Sequence, residues 1–168
     1  MTDPVISGRV VRIGDDVDTD VMLPGAYLNI TDPQELGTHL LETYSDPEAG
    51  RRIAPGDILV AGRNCGMGSS REHAPLAMIG RGVQAVVAVS FARIFQRNCI
   101  NLGLLAIEQP EAARALRDGD TVTIDTGAGR ISWDGGDAEL PPQPPFIQDL
   151  LARGGIVEWA RHRLAQRA

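Results

Sequence analysis

The sequence predicts an α/β fold in one compact domain. Its 168 residues, 43% of them hydrophobic and 23% charged, match an ordinary globular domain, and we expect all of residues 1–168 to belong to it. Apolar runs at 58–61, 85–89 and 104–107 have the length of buried strands, and the segments 73–81 and 91–100 between them have helical spacing. Alternating strands and helices predict a parallel sheet covered by helices.

The first 56 residues are predicted to contain one strand and one helix. Residues 8–13 have the alternation of a strand, and residues 14–20, with four aspartates, are predicted to be a loop. A short helix is expected over 34–43. Residues 45–56 contain two prolines and two glycines and are predicted to be a turn-rich connector.

The last 60 residues have a different pattern. Segments 121–125 and 130–133 flank the turn-forming sequence TGAG, which predicts a β-hairpin of the kind found in small β layers. Residues 140–145 contain four prolines and are predicted to form a stiff, extended connector. A final helix is expected over 156–166.

The charged residues exclude several classes of chemistry. The formal net charge is −6, and all 16 basic residues are arginines. Without lysine, neither a Schiff base nor a Walker A phosphate loop can form. The acidic balance argues against binding to nucleic acid, because the phosphate backbone requires a positive surface.

The sequence gives no sign of membrane insertion or of a structural metal. The chain starts without a basic and apolar leader and has no uncharged apolar stretch of 18 residues, so we expect a cytoplasmic protein with no membrane partner. Its two cysteines, Cys65 and Cys99, are not in a CxxC pair. We expect two reduced, partly buried thiols and no metal bound by this chain.

A glycine-rich loop carries the densest chemical signal. Residues 62–68 contain three glycines between a predicted strand and a predicted helix, and Ser69, Ser70 and Arg71 follow at once. Glycines let the backbone approach a ligand, and free N–H groups favour an anion. Ser69 could instead be a helix cap, but Pro75 would then interrupt the helix, so the helix is predicted to begin near His73.

The residues alone leave several uses of this loop open. The G-x-S-x-G pattern of serine hydrolases is absent, which argues against ester hydrolysis. Backbone N–H groups and Arg71 could bind either a phosphate or a carboxylate. A serine could also act as an alkoxide base, with Arg71 and oriented amides stabilising its charge. His73 is more typical of a hydrogen-bonded structural residue, and Arg93 and Arg97 of a solvated or interface stripe.

Three motifs in this order resemble a known family. They are DTD at 18–20, GSSREHA at 68–74 and SFARIF at 90–95. Together they resemble the swivel domain of the aconitase superfamily, and specifically its stand-alone form, the small subunits of 3-isopropylmalate dehydratases. The likeness extends from about Gly8 to Ile107.

The resemblance implies a swivelling β/β/α domain that closes over an active site shared with a large subunit, whose [4Fe-4S] cluster this chain would not bind. Ser69 would be the base that removes a carbon-bound proton, and Asp20 the active-site acid. Ser70 and Arg71 would bind a carboxylate of a small hydroxy di-acid. The complex would isomerise 2-isopropylmalate and 3-isopropylmalate by dehydration and rehydration in leucine biosynthesis, and the chain alone would be inactive.

The segment 25–31 would select the substrate in this family. Relatives that take a tricarboxylate usually have an arginine there, whereas this chain has Asn29, Ile30 and Thr31. An unpaired buried carboxylate would be costly, so an apolar branch such as isopropyl is favoured. Homocitrate, dimethylmalate or another substituted malate stays open, as does a non-catalytic module that binds carboxylate or phosphate.

Overall fold

The computed structural model describes residues 4–167, which form a mixed α/β domain built on one seven-stranded sheet. The strand order is β4-β3-β2-β1-β5-β6-β7. The strands are β1 (Val5–Arg12), β2 (Ile58–Ala61), β3 (Ala85–Ala88), β4 (Leu105–Glu108), β5 (Thr121–Asp125), β6 (Arg130–Trp133) and β7 (Gly136–Glu139). The pairs among β1 to β4 are parallel, and those from β1 through β5 to β7 are antiparallel. The predicted strands and hairpin are confirmed, and β7 was not predicted.

The sequence pattern did not predict the first, third, sixth and seventh of the eight helices within residues 4–167. The eight helices are α1 (Thr19–Met22), α2 (Pro33–Thr38), α3 (Pro47–Arg52), α4 (His73–Arg81), α5 (Arg93–Asn101), α6 (Pro110–Ala115), α7 (Pro145–Ala152) and α8 (Ile156–Ala165), with a 3₁₀ turn at Gly25–Tyr27. In α3, α6 and α7, proline occupies the first turn, where its missing N–H costs nothing. The prediction of a turn-rich connector over 45–56 was therefore wrong over Pro47–Arg52, where a proline that suggested a turn begins a helix. The predicted loop over 14–20 likewise ends in the first residues of α1.

The predicted helix over 34–43 is also shorter than expected. Helix α2 ends at Thr38, with His39 as its C-cap. Leu41 then takes a left-handed conformation with φ of 60° and donates its N–H to the Met22 carbonyl at 2.7 Å. This tertiary hydrogen bond replaces a helical one, and the side chain of Leu41 is fully buried.

Strand β1 connects the two halves of the sheet. Its first five residues pair with β5, and residues 10–12 pair with β2. Alternate side chains of the parallel strands therefore enter two separate cores. One core lies under α2, α4 and α5, and the other is closed by α6 and the antiparallel strands. The sheet thus folds back over its own parallel half, which is the β/β/α arrangement expected.

A buried carboxylate fixes the start of β2. Asp57 is 6% exposed and accepts hydrogen bonds from the Nη2 of Arg9 at 2.7 Å and from the backbone N–H of Ala54 at 2.9 Å. Burial alone would raise the pKa of Asp57, but these hydrogen bonds outweigh it and the pKa is lowered. Across residues 4–167, no helix is both long and apolar enough to span a lipid bilayer.

Candidate active site

The glycine-rich loop extends the parallel sheet beyond its strand ends. On one side, Gly66 donates to the Val17 carbonyl at 2.9 Å, and Thr19 donates to the Met67 carbonyl at 2.9 Å. On the other side, Cys65 donates to the Ser90 carbonyl at 3.0 Å. Isolated bridges pair residue 18 with 67 and residue 65 with 91. The DTD and SFARIF motifs are therefore hydrogen-bonded to the loop residues that immediately precede GSSREHA.

The loop needs glycine at two positions. Gly66 has φ of 82° and Gly68 has φ of 101°, a region that other residues rarely adopt. A Cβ on Gly66 would lie 2.0 Å from the Cγ of Phe95, and one on Gly68 would lie 2.7 Å from Oδ2 of Asp18. Both glycines thus allow contacts that bring the loop against α1 and α5.

A shallow cleft, open to solvent, lies where the loop meets α1 and α4. Its lining includes Thr19, Asp20, Leu28, Ser69, Arg71 and His73. The structure therefore brings together three residues that the sequence predicted for the site: the proposed base, the proposed acid and the proposed carboxylate-binding arginine. They come from segments about 50 positions apart in the chain.

Ser69 is held at the cleft by both its backbone and its side chain. Its N–H donates to Oγ1 of Thr19 at 3.0 Å, and Thr19 is only 5% exposed. Its Oγ accepts the N–H of Arg71 at 3.1 Å. A backbone donor aimed at this oxygen favours negative charge on it, as a serine base requires. Helix α4 begins at His73, as predicted, and leaves Ser69 in the loop.

Three other residues of the cleft, Arg71, Asp20 and His73, have polar side-chain groups that could bind a ligand. Arg71 is exposed and makes no ion pair or side-chain hydrogen bond within 4–167, so its guanidinium is available to an anion. Asp20 is exposed, and its backbone N–H donates to Oδ1 of Asp18 at 2.6 Å. The Nδ1 of His73 is buried and has no hydrogen-bond partner among the described residues. The expectation of a hydrogen-bonded structural histidine is therefore not met at this atom.

The remaining predicted substrate residues lie outside the cleft lining. Ser70 is exposed, and its carbonyl accepts Nδ2 of Asn98 at 2.9 Å. Asn29 and Thr31 are exposed, and Ile30 packs against the core beneath α2 and α4. From the 25–31 segment it is Leu28 that lines the cleft. The substrate-binding roles of Ser70, Asn29, Ile30 and Thr31 stay predictions.

Two positioning residues escaped the sequence analysis. Thr19 stands between two aspartates, and its value as an acceptor for Ser69 depends on a contact 50 positions away. Asn98 supports the loop from α5 through the Ser70 carbonyl. Asn98 could have been predicted from its place on α5, one turn after Ile94, because its side-chain amide can both donate and accept hydrogen bonds.

The two thiols do not fit the ligand set of an iron–sulfur cluster. Cys65 and Cys99 are reduced and fully buried, somewhat more buried than predicted. Burial raises the pKa of Cys65 to about 12 and that of Cys99 well above its usual value. Cluster ligation needs thiolates. Nor do the described residues include a group of three His, Cys, Asp or Glu side chains arranged for a metal ion.

Comparisons with known proteins identify relatives of the whole chain. The Aconitase C-terminal domain family matches residues 32–112. A crystal structure of 3-isopropylmalate dehydratase from Methanocaldococcus jannaschii is 39% identical and superposes with a TM-score of 0.90, covering 97% of each chain. This fold match includes the antiparallel strands and C-terminal helices, for which the sequence offered no motif.

Curated relatives are similar over almost their whole length. The 3-isopropylmalate dehydratase small subunit of Thermodesulfovibrio yellowstonii is 46% identical over 95% of this chain and 96% of its own. That of Moorella thermoacetica is 48% identical over 95% of this chain and 97% of its own. By this identity and coverage, the chain belongs to the family of 3-isopropylmalate dehydratase small subunits, in the aconitase superfamily.

Proposed function

We propose that the chain is the small subunit of a two-subunit hydro-lyase that interconverts 2-isopropylmalate and 3-isopropylmalate. The observation that carries this proposal is the joining of Asp20, Ser69 and Arg71 in one cleft, in a chain 46% identical to named small subunits. The cleft is shallow, as expected if a second polypeptide completes it. The reaction would serve leucine biosynthesis in the cytoplasm.

Proton removal is assigned to Ser69. As an alkoxide, its Oγ takes the proton from the substrate carbon, and the C–H electron pair forms the new double bond. The Arg71 N–H, 3.1 Å from Oγ, and the nearby guanidinium stabilise the negative charge before the transfer. Asp20 donates a proton to the hydroxyl that departs, so that it leaves as water.

Rehydration reverses these roles at the neighbouring carbon. Water adds to the double bond in the opposite orientation, Asp20 takes up a proton, and Ser69 returns its proton to carbon. The unpaired guanidinium of Arg71 binds a substrate carboxylate, with Ser70 beside it, and keeps the intermediate in place. Atoms and charge balance over the cycle, and the product is the positional isomer.

The cluster is assigned to the large subunit. Its iron would act as a Lewis acid on the substrate hydroxyl. The buried, protonated thiols of this chain support that assignment, since they are poor cluster ligands. The partner is therefore a large, cluster-bearing subunit, and the substrate a small hydroxy di-acid.

Reconstitution tests the assignment. The chain alone should show no isomerase activity, and an anaerobic mixture with the large subunit from the same organism should convert 2-isopropylmalate to 3-isopropylmalate. Ser69→Ala should lower kcat by about 10² to 10⁴, the usual share of a positioned base. Ser132→Ala makes the same change at an exposed position of β6, away from the cleft, and should leave kcat unchanged. Full activity of the Ser69→Ala complex would refute the role of Ser69.

The substrate preference is tested at the 25–31 segment. Asn29→Arg should shift the ratio of kcat/KM toward a substrate with one more carboxylate, such as homocitrate, by about tenfold or more. Asn29→Gln, which adds length without charge, is the matched control. An unchanged ratio in the arginine variant would contradict selection by Asn29.

A further inference from the structure

Three side chains tie the 25–31 segment to the chain that follows α2. The hydroxyl of Tyr27 donates to Oε1 of Glu42 at 2.9 Å, and Nδ1 of His39 lies 2.8 Å from Oε2 of the same carboxylate. The rings of Tyr27 and His39 stack with centroids 3.6 Å apart and planes 12° from parallel. We call Tyr27, His39 and Glu42 the loop brace.

The loop brace acts on a segment whose other tertiary support is the packing of Tyr27 and Ile30 against the core. The 3₁₀ turn Gly25–Tyr27 is three residues long and contains no buried residue. Its backbone bonds run from the N–H of Leu28 to Gly25 at 3.3 Å and from that of Ile30 to Tyr27 at 3.0 Å. A single short turn is marginal in water, so its position depends on side-chain contacts.

The carboxylate of Glu42 is central to the brace, because each of its oxygens has a separate partner. Hydrogen bonds from His39 and from Tyr27 lower the pKa of Glu42. The same carboxylate raises the pKa of Tyr27, which therefore keeps its proton as a donor. Bonds to a charged acceptor are shorter and stronger than neutral ones, which explains how exposed groups can hold this arrangement.

The residue after Tyr27 lines the cleft. Leu28 is half-buried beside Asp20 and Ser69, and its backbone follows directly from the braced tyrosine. Neither Glu42 nor His39 is among the residues that line this cleft. Within the 25–31 segment, Leu28 is therefore the residue through which the brace reaches the cleft.

We propose that the loop brace is a positioning device for substrate selection: it holds the 25–31 segment so that Leu28 contacts the non-reacting branch of the substrate. This inference rests on the proposed function for the identity of the substrate. The ordering of the segment does not, and it can be measured on the chain alone.

Hydrogen exchange measures the ordering. In Tyr27→Phe, which keeps the ring but removes the hydroxyl, the amides of Leu28 and Ile30 should exchange about threefold to tenfold faster, as expected for loss of one hydrogen bond. Tyr44→Phe is the matched control, because Tyr44 accepts its hydrogen bond from Gly14 instead. Equal exchange in Tyr27→Phe and the unmodified chain would overturn the proposal.

Kinetics of the reconstituted complex measure the consequence for binding. Glu42→Ala should raise KM for 2-isopropylmalate about threefold to tenfold with kcat within twofold, since Leu28 is expected to contact a part of the substrate that does not react. Glu42→Gln, which keeps an acceptor for Tyr27, should recover part of the loss. Glu48→Ala removes another exposed carboxylate, paired with Arg51, and should leave KM unchanged.

The outcomes separate the two claims. Faster exchange with an unchanged KM would refute a role in binding, and a fall in kcat without a rise in KM would do the same. An inactive unmodified complex would refute the proposed substrate, while the exchange comparison would still decide whether the loop brace orders the segment.

Discussion

Thr19→Val should both destabilise the domain and displace Ser69. The substitution keeps the volume of Thr19 but replaces the hydroxyl that accepts the N–H of Ser69 at 3.0 Å. Because Thr19 is 5% exposed, water cannot easily replace the lost acceptor. An unsatisfied donor of this kind costs about 1 to 3 kcal/mol, which corresponds to a Tm lower by about 2 to 10 °C in a chain of this size.

Thr19→Val should also lower the activity of the folded protein. Ser69 would keep its own hydroxyl, but a displacement of about 1 Å at a reacting group can reduce the rate about a hundredfold. Thermal denaturation of the chain and kcat of the reconstituted complex measure the two effects separately. Thr19→Ser retains the acceptor and should preserve both. A valine variant with unchanged Tm and kcat would refute the positioning of Ser69 by Thr19.

Three other properties follow from the structure. Gly66→Ala should lower the free energy of unfolding by more than about 3 kcal/mol or prevent folding, because its Cβ would overlap Phe95. A denaturant unfolding curve close to that of the unmodified chain would contradict this close contact. Asp57→Asn should lower the free energy of unfolding by about 1 to 3 kcal/mol at neutral pH. The folded pKa of Asp57 is lowered, so its contribution to the free energy of unfolding is present above the unfolded pKa near 4. That contribution is lost as the pH falls through the lower folded pKa. The unfolding curves of the two proteins should therefore converge below about pH 4. Cys65 and Cys99 should not react with a thiol reagent at pH 8 in the native chain and should both react in denaturant, whereas rapid labelling of folded protein would contradict their burial.

The sequence predicted the features that local chemistry determines. The start of α4 at His73 followed from the effect of Pro75 on a helix that would have begun at Ser69. Strands β2, β3 and β4 were predicted from wholly apolar runs, and β1 from its alternation. The prolines that begin α3, α6 and α7 did not lead to a prediction of helix. Proline is common both in turns and at the first position of a helix, and tertiary packing decides which of the two forms.

The site was predicted in part, for a related reason. Ser69 and Arg71 were found because the glycine-rich loop and the residues after it carry chemistry in their own residue types, whereas Asp20 was named only through the resemblance of the DTD motif. Leu28 and Thr19 were missed, because their places in the cleft depend on contacts between distant segments. In the 25–31 segment no helical or strand period indicates which side chain faces the cleft, and Ile30 faces the core instead.

The hydrogen bonds along both edges of the glycine-rich loop make the proposed site of proton transfer structurally independent of the proposed site of substrate selection. Residues 65–67 are hydrogen-bonded on both sides, and Ser69, the proposed base, follows two residues later. The segment after Pro24 lies outside these hydrogen bonds, so we expect its side chains to vary without displacing Ser69. One scaffold can therefore acquire a new substrate range while its reaction stays the same.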